Sequence, residues 1–378
     1  MNIIKALFYR LSDSLLSTVQ GRIDPATEFT PVASLRLVSD KPVVLPSLDS
    51  SSAARRPIGH VTSQPDAVDD AIRRSQSWFF CRQHAEGYWV AELEADTTLT
   101  SEYLMLRRFL DRVDPDREVK AVRYLKMTQL PDGGWPIYYG GPAEISASVK
   151  AYFALKLSGV SADEPFMVRA KERILEMGGV LHANVFTKIT LALFDQYDWE
   201  GVPHMPVELM LLPKKFYFSI YAISYWSRAV LIPLLIIFAH RPVCRIPREQ
   251  GIDELYPIPR LEVRYWKYPP FNKDQAWFTP HNFFVALDAM LKLYDRMPMR
   301  VLREKALHKA ACWMVDHLKG SGGLGAIYPA MANSIMALQC LGYDADDPLV
   351  VKALREIEEL EVYDSTRIDG EIVPTLHL

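Results

Sequence analysis

Cysteine is scarce: Cys81, Cys244, Cys312 and Cys340 are the only four in 378 residues. They show neither the paired spacing of a thiolate metal site nor a disulfide framework, which fits a reducing compartment and a packing role. No long run of Lys or Arg occurs, and a formal charge of −3 with a pI near 6.3 argues against nucleic acid as a partner. Apolar–polar alternation of period two is rare, so strands are not expected to build the core. Residues 1–20 carry Ile3, Leu7, Leu11, Leu15 and Val19 at helix-like spacing but lack a continuous apolar core followed by a small-residue cleavage site. A signal peptide is therefore not expected, while an interfacial helix and a poorly ordered extension both stay open. An Asp, Cys and His cluster suited to zinc is also missing, and neither a metal nor an organic cofactor is expected.

What the chain does have is helical periodicity. The stretch from Gly21 to Ser63 is rich in Pro, Ser, Thr and Asp and reads as a flexible tail, with the folded part beginning near Pro65. Amphipathic spacing predicts helices near 66–83, 100–112, 116–129, 145–158, 165–177, 184–197, 217–239, 281–296, 301–318, 332–341 and 348–361, an all-α class.

Internal similarity refines this. Residues 154–165 (ALKLSGVSADEP) parallel 337–348 (ALQCLGYDADDP), and the match continues through Val168 and Val351. In each copy a Gly can end one helix in the left-handed conformation, then an acidic residue caps the next helix with Pro in its first turn. Asp114-Pro115 is a shorter third version. A second repeated element, Gln-x-x-x-Gly-x-Trp, occurs at Gln83, Gly87 and Trp89 and again at Gln129, Gly133 and Trp135. The Gln amide can bond the end of a neighbouring helix, Gly admits a tight turn, and the indole covers the joint. Gly322-Gly323-Leu324 is a degenerate copy without its Gln or Trp. Repeated helix pairs with such clamps suggest an α/α barrel, with inner and outer helices alternating.

These elements, with Gly87-Tyr88-Trp89, Ser101-Glu102-Tyr103, Asp132-Gly133-Gly134-Trp135, Tyr225-Trp226-Ser227-Arg228, Glu254-Leu255-Tyr256 and residues 325–331 (GAIYPAM), resemble the squalene–hopene and oxidosqualene cyclases over roughly 66–378. The bacterial squalene–hopene branch fits best. The resemblance implies a flexible extension over 1–64, an opening helix and first Gln-to-Trp element over 65–93 that pack on a second barrel, and an N-terminal α/α barrel over 94–378 with a membrane-facing segment at 214–241. It implies squalene, or a similar apolar polyene, as substrate and cyclisation to hopene or hopanol, in a protein held peripherally on the cytoplasmic side of a membrane. The second barrel, which carries the family's catalytic acid, is not expected within this chain. Activity would then need a separately encoded C-terminal cyclase half.

By the same resemblance Trp226 is a cavity aromatic, Ile327, Tyr328 and Pro329 form a wall segment, and Glu102 is a carboxylate near the cavity. Core packing is the alternative for Trp226 and Ile327; for Glu102 it is a solvated helix position paired with Arg107 or Arg108. Asp344-Ala345-Asp346-Asp347 has the Asp-x-Asp-Asp pattern of the family's acid, yet it occupies the loop of the internal repeat. It is read as a solvated capping loop, leaving no catalytic residue assigned in this chain. Phe216–Ala239 is apolar and long, but an Arg228 at a bilayer centre would cost about 2.5–3.5 kcal/mol. A monotopic surface with Lys214, Lys215, His240 and Arg241 near its ends is expected, beside the alternative of a buried barrel helix. A non-catalytic lipid-binding or membrane-associated module is the rival function.

Overall fold

The computed structural model describes residues 67–89, 95–216, 219–263, 279–297, 300–319, 322–368 and 371–378. The expected helix over the first twenty residues and the tail to Ser63 lie outside them. Of the described residues, 67–89 belong to one compact unit and 95–378 to another.

In the first unit α1 (Ala67–Phe80) has no buried residue and leads into the first Gln-to-Trp element. The second unit is built from α2 (Thr97–Phe109), α3 (Pro115–Met127), α4 (Ile145–Leu157), α5 (Pro165–Glu176), α6 (Val185–Ala192), α7 (Tyr225–His240), α8 (Pro280–Asp295), α9 (Arg300–Leu318), α10 (Tyr328–Cys340) and α11 (Pro348–Glu358). Inner and outer helices alternate for a reason visible in their composition. In α4 every residue from Ser146 to Leu157 is buried, and α7 and α10 bury most of theirs. Outer α3 and α5 bury only three residues each, as amphipathic helices covering an inner layer do. Inner α2 packs on α4, α7 packs on α10, and α10 packs on α2, the inner layer of the α/α barrel.

The internal repeat is a repeat of helix termini. Gly159 after α4 and Gly342 after α10 both take positive φ (80° and 89°). In both copies the next amide turns back to the carbonyl five residues earlier, Val160 to Leu155 and Tyr343 to Leu338, the six-to-one bond of a left-handed helix end. After α2 the same bond runs from Arg112 to Arg107, with Asp111 in the left-handed position. Asp114 and Asp347 then cap α3 and α11 through their side chains, but Glu164 makes no side-chain cap on α5. Its longer side chain is a poorer N-cap than Asp.

Two expectations shift. The helix expected over 217–239 begins at Tyr225, because Ser224 accepts the Ser227 amide and a 3-10 turn at Ile220–Ala222 precedes it; 217 and 218 lie outside the described residues. The last helix stops at Glu358 and gives way to an antiparallel hairpin, β1 (Val362–Ile368) and β2 (Glu371–His377), paired from Val362 with His377 to Ile368 with Glu371. Its second strand lies on α2 and α3, burying Leu376 and stacking His377 on Tyr124 at 4.8 Å.

Candidate functional site

The two Gln-to-Trp elements have one geometry. Gln83 Nε2 donates to the Gly87 carbonyl at 2.7 Å, and Gln129 Nε2 to the Gly133 carbonyl at 2.8 Å. The Trp89 indole donates to the Phe79 carbonyl at 2.7 Å, and Trp135 to the Leu125 carbonyl at 2.8 Å, each at the end of the preceding helix. The amide thus closes its own turn first. Only Gln129 also reaches a neighbouring helix, at the Phe166 carbonyl in α5 (2.9 Å). Gly133 has φ of 93° and stands so close to α5 that a Cβ would lie 2.5 Å from the Arg169 carbonyl oxygen, so backbone packing as well as the turn requires glycine. In the degenerate copy Leu324 fills the Trp position and is fully buried.

Of the five residues read as cavity-lining, Trp226 falls at the start of α7, Ile327, Tyr328 and Pro329 fall at the start of α10, and Glu102 lies in the middle of α2. Ile327, half-buried, is the N-cap of α10; Pro329 is exposed in its first turn. Tyr328 is buried, and its hydroxyl has no hydrogen-bond partner. Burial pushes this phenol well above its ordinary pKa, with the charge of Glu102 adding to the shift. The preceding residues Gly323, Gly325 and Ala326 all take positive φ, and Ala326 does so with a Cβ, a conformation costing about 1–2 kcal/mol. Gly325 lies against Ala229, where a Cβ would stand 3.0 Å from the Ala229 methyl. Ala229 is one turn along α7 from Trp226, which is 57% exposed and so is not a core residue. The structure thereby brings the first turn of α7, the 325–329 segment and Glu102 of α2 to one region of the barrel.

Glu102 does not pair with Arg107 or Arg108. Five and six residues on, these leave its face of the helix. Arg107 bonds Glu358 (2.8 Å) and the Tyr103 hydroxyl, and Arg108 reaches the Leu157 carbonyl (2.8 Å). Glu102 instead accepts from buried Lys150 of α4, an arrangement suited to an acceptor carboxylate rather than a proton donor. The Asp344–Asp347 loop is open to water at Asp344 and Asp346. Asp347 accepts the Leu349 amide at 2.8 Å, and Asp346 pairs with Arg112.

The apolar segment expected to face a membrane is mostly interior. In α7 Ala229 and the run from Leu231 to Phe238 are buried, whereas its start, with Tyr225 and Trp226, its last residue His240 and the preceding Lys214–Phe216 are exposed. Hydropathy alone does not distinguish a core helix from a lipid-facing one. The outward apolar surface sits elsewhere, on α8. Phe283, Ala286, Met290 and Leu293 are exposed along one stripe of this helix, continued by Met297 just beyond it, while Asn282 and Lys292 are buried. Its inward side makes several polar contacts. Asp295 accepts from Arg241 (2.7 Å) and Arg303 (2.6 Å), Asp288 accepts the His204 amide (2.7 Å), and Lys292 bonds the Glu200 carbonyl and Asp288. His204 Nε2 stands 3.4 Å from Asp295 without hydrogen-bond alignment, and burial lowers its pKa, partly offset by that carboxylate. Sequence reasoning found α8 as a helix but not which face it turns outward. Among the described residues no helix is long and apolar enough to cross a membrane, and no group of three metal-binding side chains occurs.

Comparison with known proteins adds relatives to this geometry. A family model described as the squalene–hopene cyclase N-terminal domain matches residues 72–366. The squalene–hopene cyclase of Zymomonas mobilis is 42% identical over 316 residues, covering 82% of this chain and 46% of that protein. That of Alicyclobacillus acidocaldarius is 34% identical over 296 residues, covering 77% and 44%. The dammaradiene synthase of Dryopteris crassirhizoma is 35% identical over 300 residues, covering 79% and 43%. The chain spans a little under half the length of these relatives.

Proposed function

The chain belongs to the squalene–hopene cyclase N-terminal domain family, and on that premise we propose that it serves the cyclisation of squalene to hopene or hopanol by supplying one wall of the reaction cavity. Protonating an unactivated alkene requires a carboxylic acid held protonated in a dry, polarising pocket. Neither of the two acidic features at hand is such an acid: Glu102 faces Lys150, and the Asp344–Asp347 loop is solvated. In this reading the proton donor comes from a C-terminal cyclase half. This chain's part is to exclude water and present surfaces that stabilise carbocations without trapping them. The exposed indole of Trp226 offers a π-face of that kind, and the Tyr328 phenol, kept neutral by its burial, offers a ring without a base.

The observation that carries the reading is the convergence of the start of α7 at Ala229, the 325–329 segment and Glu102 in a barrel of this family. The outward apolar stripe of α8 supports a peripheral position on a membrane, from which an insoluble polyene could enter. A squalene cyclisation assay in detergent tests it, with products read by gas chromatography. Hopene from the chain mixed with a C-terminal cyclase half, and none from the chain alone, is the expected result. Hopene from the chain alone would return the acid to the Asp344–Asp347 loop, and silence in both would favour the lipid-binding module.

A further inference from the structure

The forty residues from Leu209 to Arg248 hold six Lys or Arg and no Asp or Glu, in a chain whose formal charge is −3. Part of this excess gathers at one aromatic ring. Lys214 Nζ and Lys309 Nζ each stand 5.5 Å from the centroid of Tyr221, and the Arg228 guanidinium carbon stands 5.9 Å from it. Lys309 arrives from α9, so two distant stretches of chain bring their cations to the same place.

A π-face attracts a cation by only about 0.5–1 kcal/mol at an exposed site, too little to offset mutual repulsion among three of them. A carboxylate would do so, yet among the described residues none pairs with Lys214, Lys309 or Arg228. Arg228 is fixed by donating Nη1 to the Tyr221 and Ile223 carbonyls (3.3 and 3.0 Å), and its buried Nε has no partner. Both lysines are exposed. Phe216, Tyr225 and Trp226, close by in sequence, are 47%, 44% and 57% exposed, and Tyr and Trp are the amphipathic aromatics that settle at headgroup level in a bilayer.

We propose that Lys214, Lys309 and Arg228, gathered on Tyr221, form a binding site for the phosphate of an anionic lipid headgroup. The proposal rests on the peripheral-membrane part of the function above. Two exposed lysines with exposed aromatics close by in the chain suit a headgroup anchored by its own bilayer better than a soluble anion, which would need enclosure.

Flotation of the full chain with phosphatidylcholine vesicles, with and without phosphatidylglycerol, is the test, using K214A/K309A and the control K126A. Lys126 also lies over a ring, that of Phe166 at 4.8 Å, but alone. At about 1 kcal/mol per lysine near an anionic surface, the double variant loses roughly thirtyfold in partition to anionic vesicles. Binding to neutral vesicles and the behaviour of K126A stay at the wild-type level, and added salt erases the wild-type preference. Anionic preference that survives in K214A/K309A, or a wild-type preference insensitive to salt, overturns the proposal. Wild-type binding to both vesicle types without preference sinks this site alone, whereas binding to neither sinks the membrane reading with it. Inorganic phosphate raising the melting temperature of wild type but not of the double variant, with no vesicle preference, overturns the lipid assignment in favour of a soluble anion.

Discussion

The indoles of the two Gln-to-Trp elements make the same hydrogen bond at very different burial, which allows one substitution to be compared with its twin. Trp135 is fully buried, whereas Trp89 is 46% exposed. In Trp135→Phe the Leu125 carbonyl loses its indole donor, but the Thr128 hydroxyl still reaches it at 3.2 Å. The loss therefore belongs in the lower part of the range for an unsatisfied buried acceptor, about 1–2 kcal/mol. Removing the pyrrole half of the ring from a closed site leaves a cavity worth about 1–2 kcal/mol more, within the about 3–5 kcal/mol of complete Trp truncation. The sum is roughly 3 kcal/mol, or a melting temperature lower by about 5 °C for a unit of this size. In Trp89→Phe water replaces the lost donor at the Phe79 carbonyl, and the cost stays under about 1 kcal/mol. Urea unfolding followed by far-UV circular dichroism measures the first, and amide exchange across α1 reads the second locally. Equal costs at the two positions, or a Trp135→Phe cost below about 1 kcal/mol, would refute the argument that burial, not the hydrogen bond itself, sets the worth of the clamp.

Asp347→Ala removes the cap of α11 and lowers stability by about 1 kcal/mol in thermal melts. In the two-part cyclisation assay it leaves the rate near wild type, whereas a thousandfold drop would mark this loop as the acid. His204 has its folded-state pKa lowered, chiefly by burial, from an ordinary value of 6.5. The unfolded chain therefore binds the extra proton first, and stability falls as pH drops from about 6.5 toward the folded-state value. Urea midpoints measured across that window should show the slope in wild type and a shallower one in His204→Gln. Met290→Ser with Leu293→Ser, both on the exposed stripe of α8, should leave the melting temperature within about 1 °C of wild type, as surface changes do, while reducing flotation with neutral vesicles several-fold.

The parts legible in the sequence are those governed by local chemistry. The helix ends at Gly159 and Gly342 and the cap at Asp347 follow from residues within one turn of each other. The alternation of inner and outer helices follows from apolar spacing. What depends on distant contacts was not legible. The partner of Glu102 lies 48 residues away on α4. The apolar period of α8 is the same whichever face it turns inward, and an apolar run such as Phe216–Ala239 has one hydropathy in a core and in a bilayer. The hairpin did carry a local signal, since Asp369-Gly370 separates its two strands in the sequence, a pair strongly favoured in two-residue hairpin turns. Mixed polarity on β1, where Asp364 and Arg367 interrupt the apolar residues, hid it.

Helix α8 reverses the usual map of which substitutions a protein forgives. Its attachment runs through Asp288, Lys292 and Asp295, and no other described element packs closely along its backbone. A conservative library that varied only surface positions and spared greasy ones would protect the wrong residues here. At Phe283, Met290 and Leu293 charged replacements should pass an expression screen, while a leucine at Asp295 would strand two guanidinium groups and fail it. Selection for soluble yield would therefore erode the outward stripe first, and a variant obtained that way would be well folded and yet stripped of the surface proposed to meet a membrane.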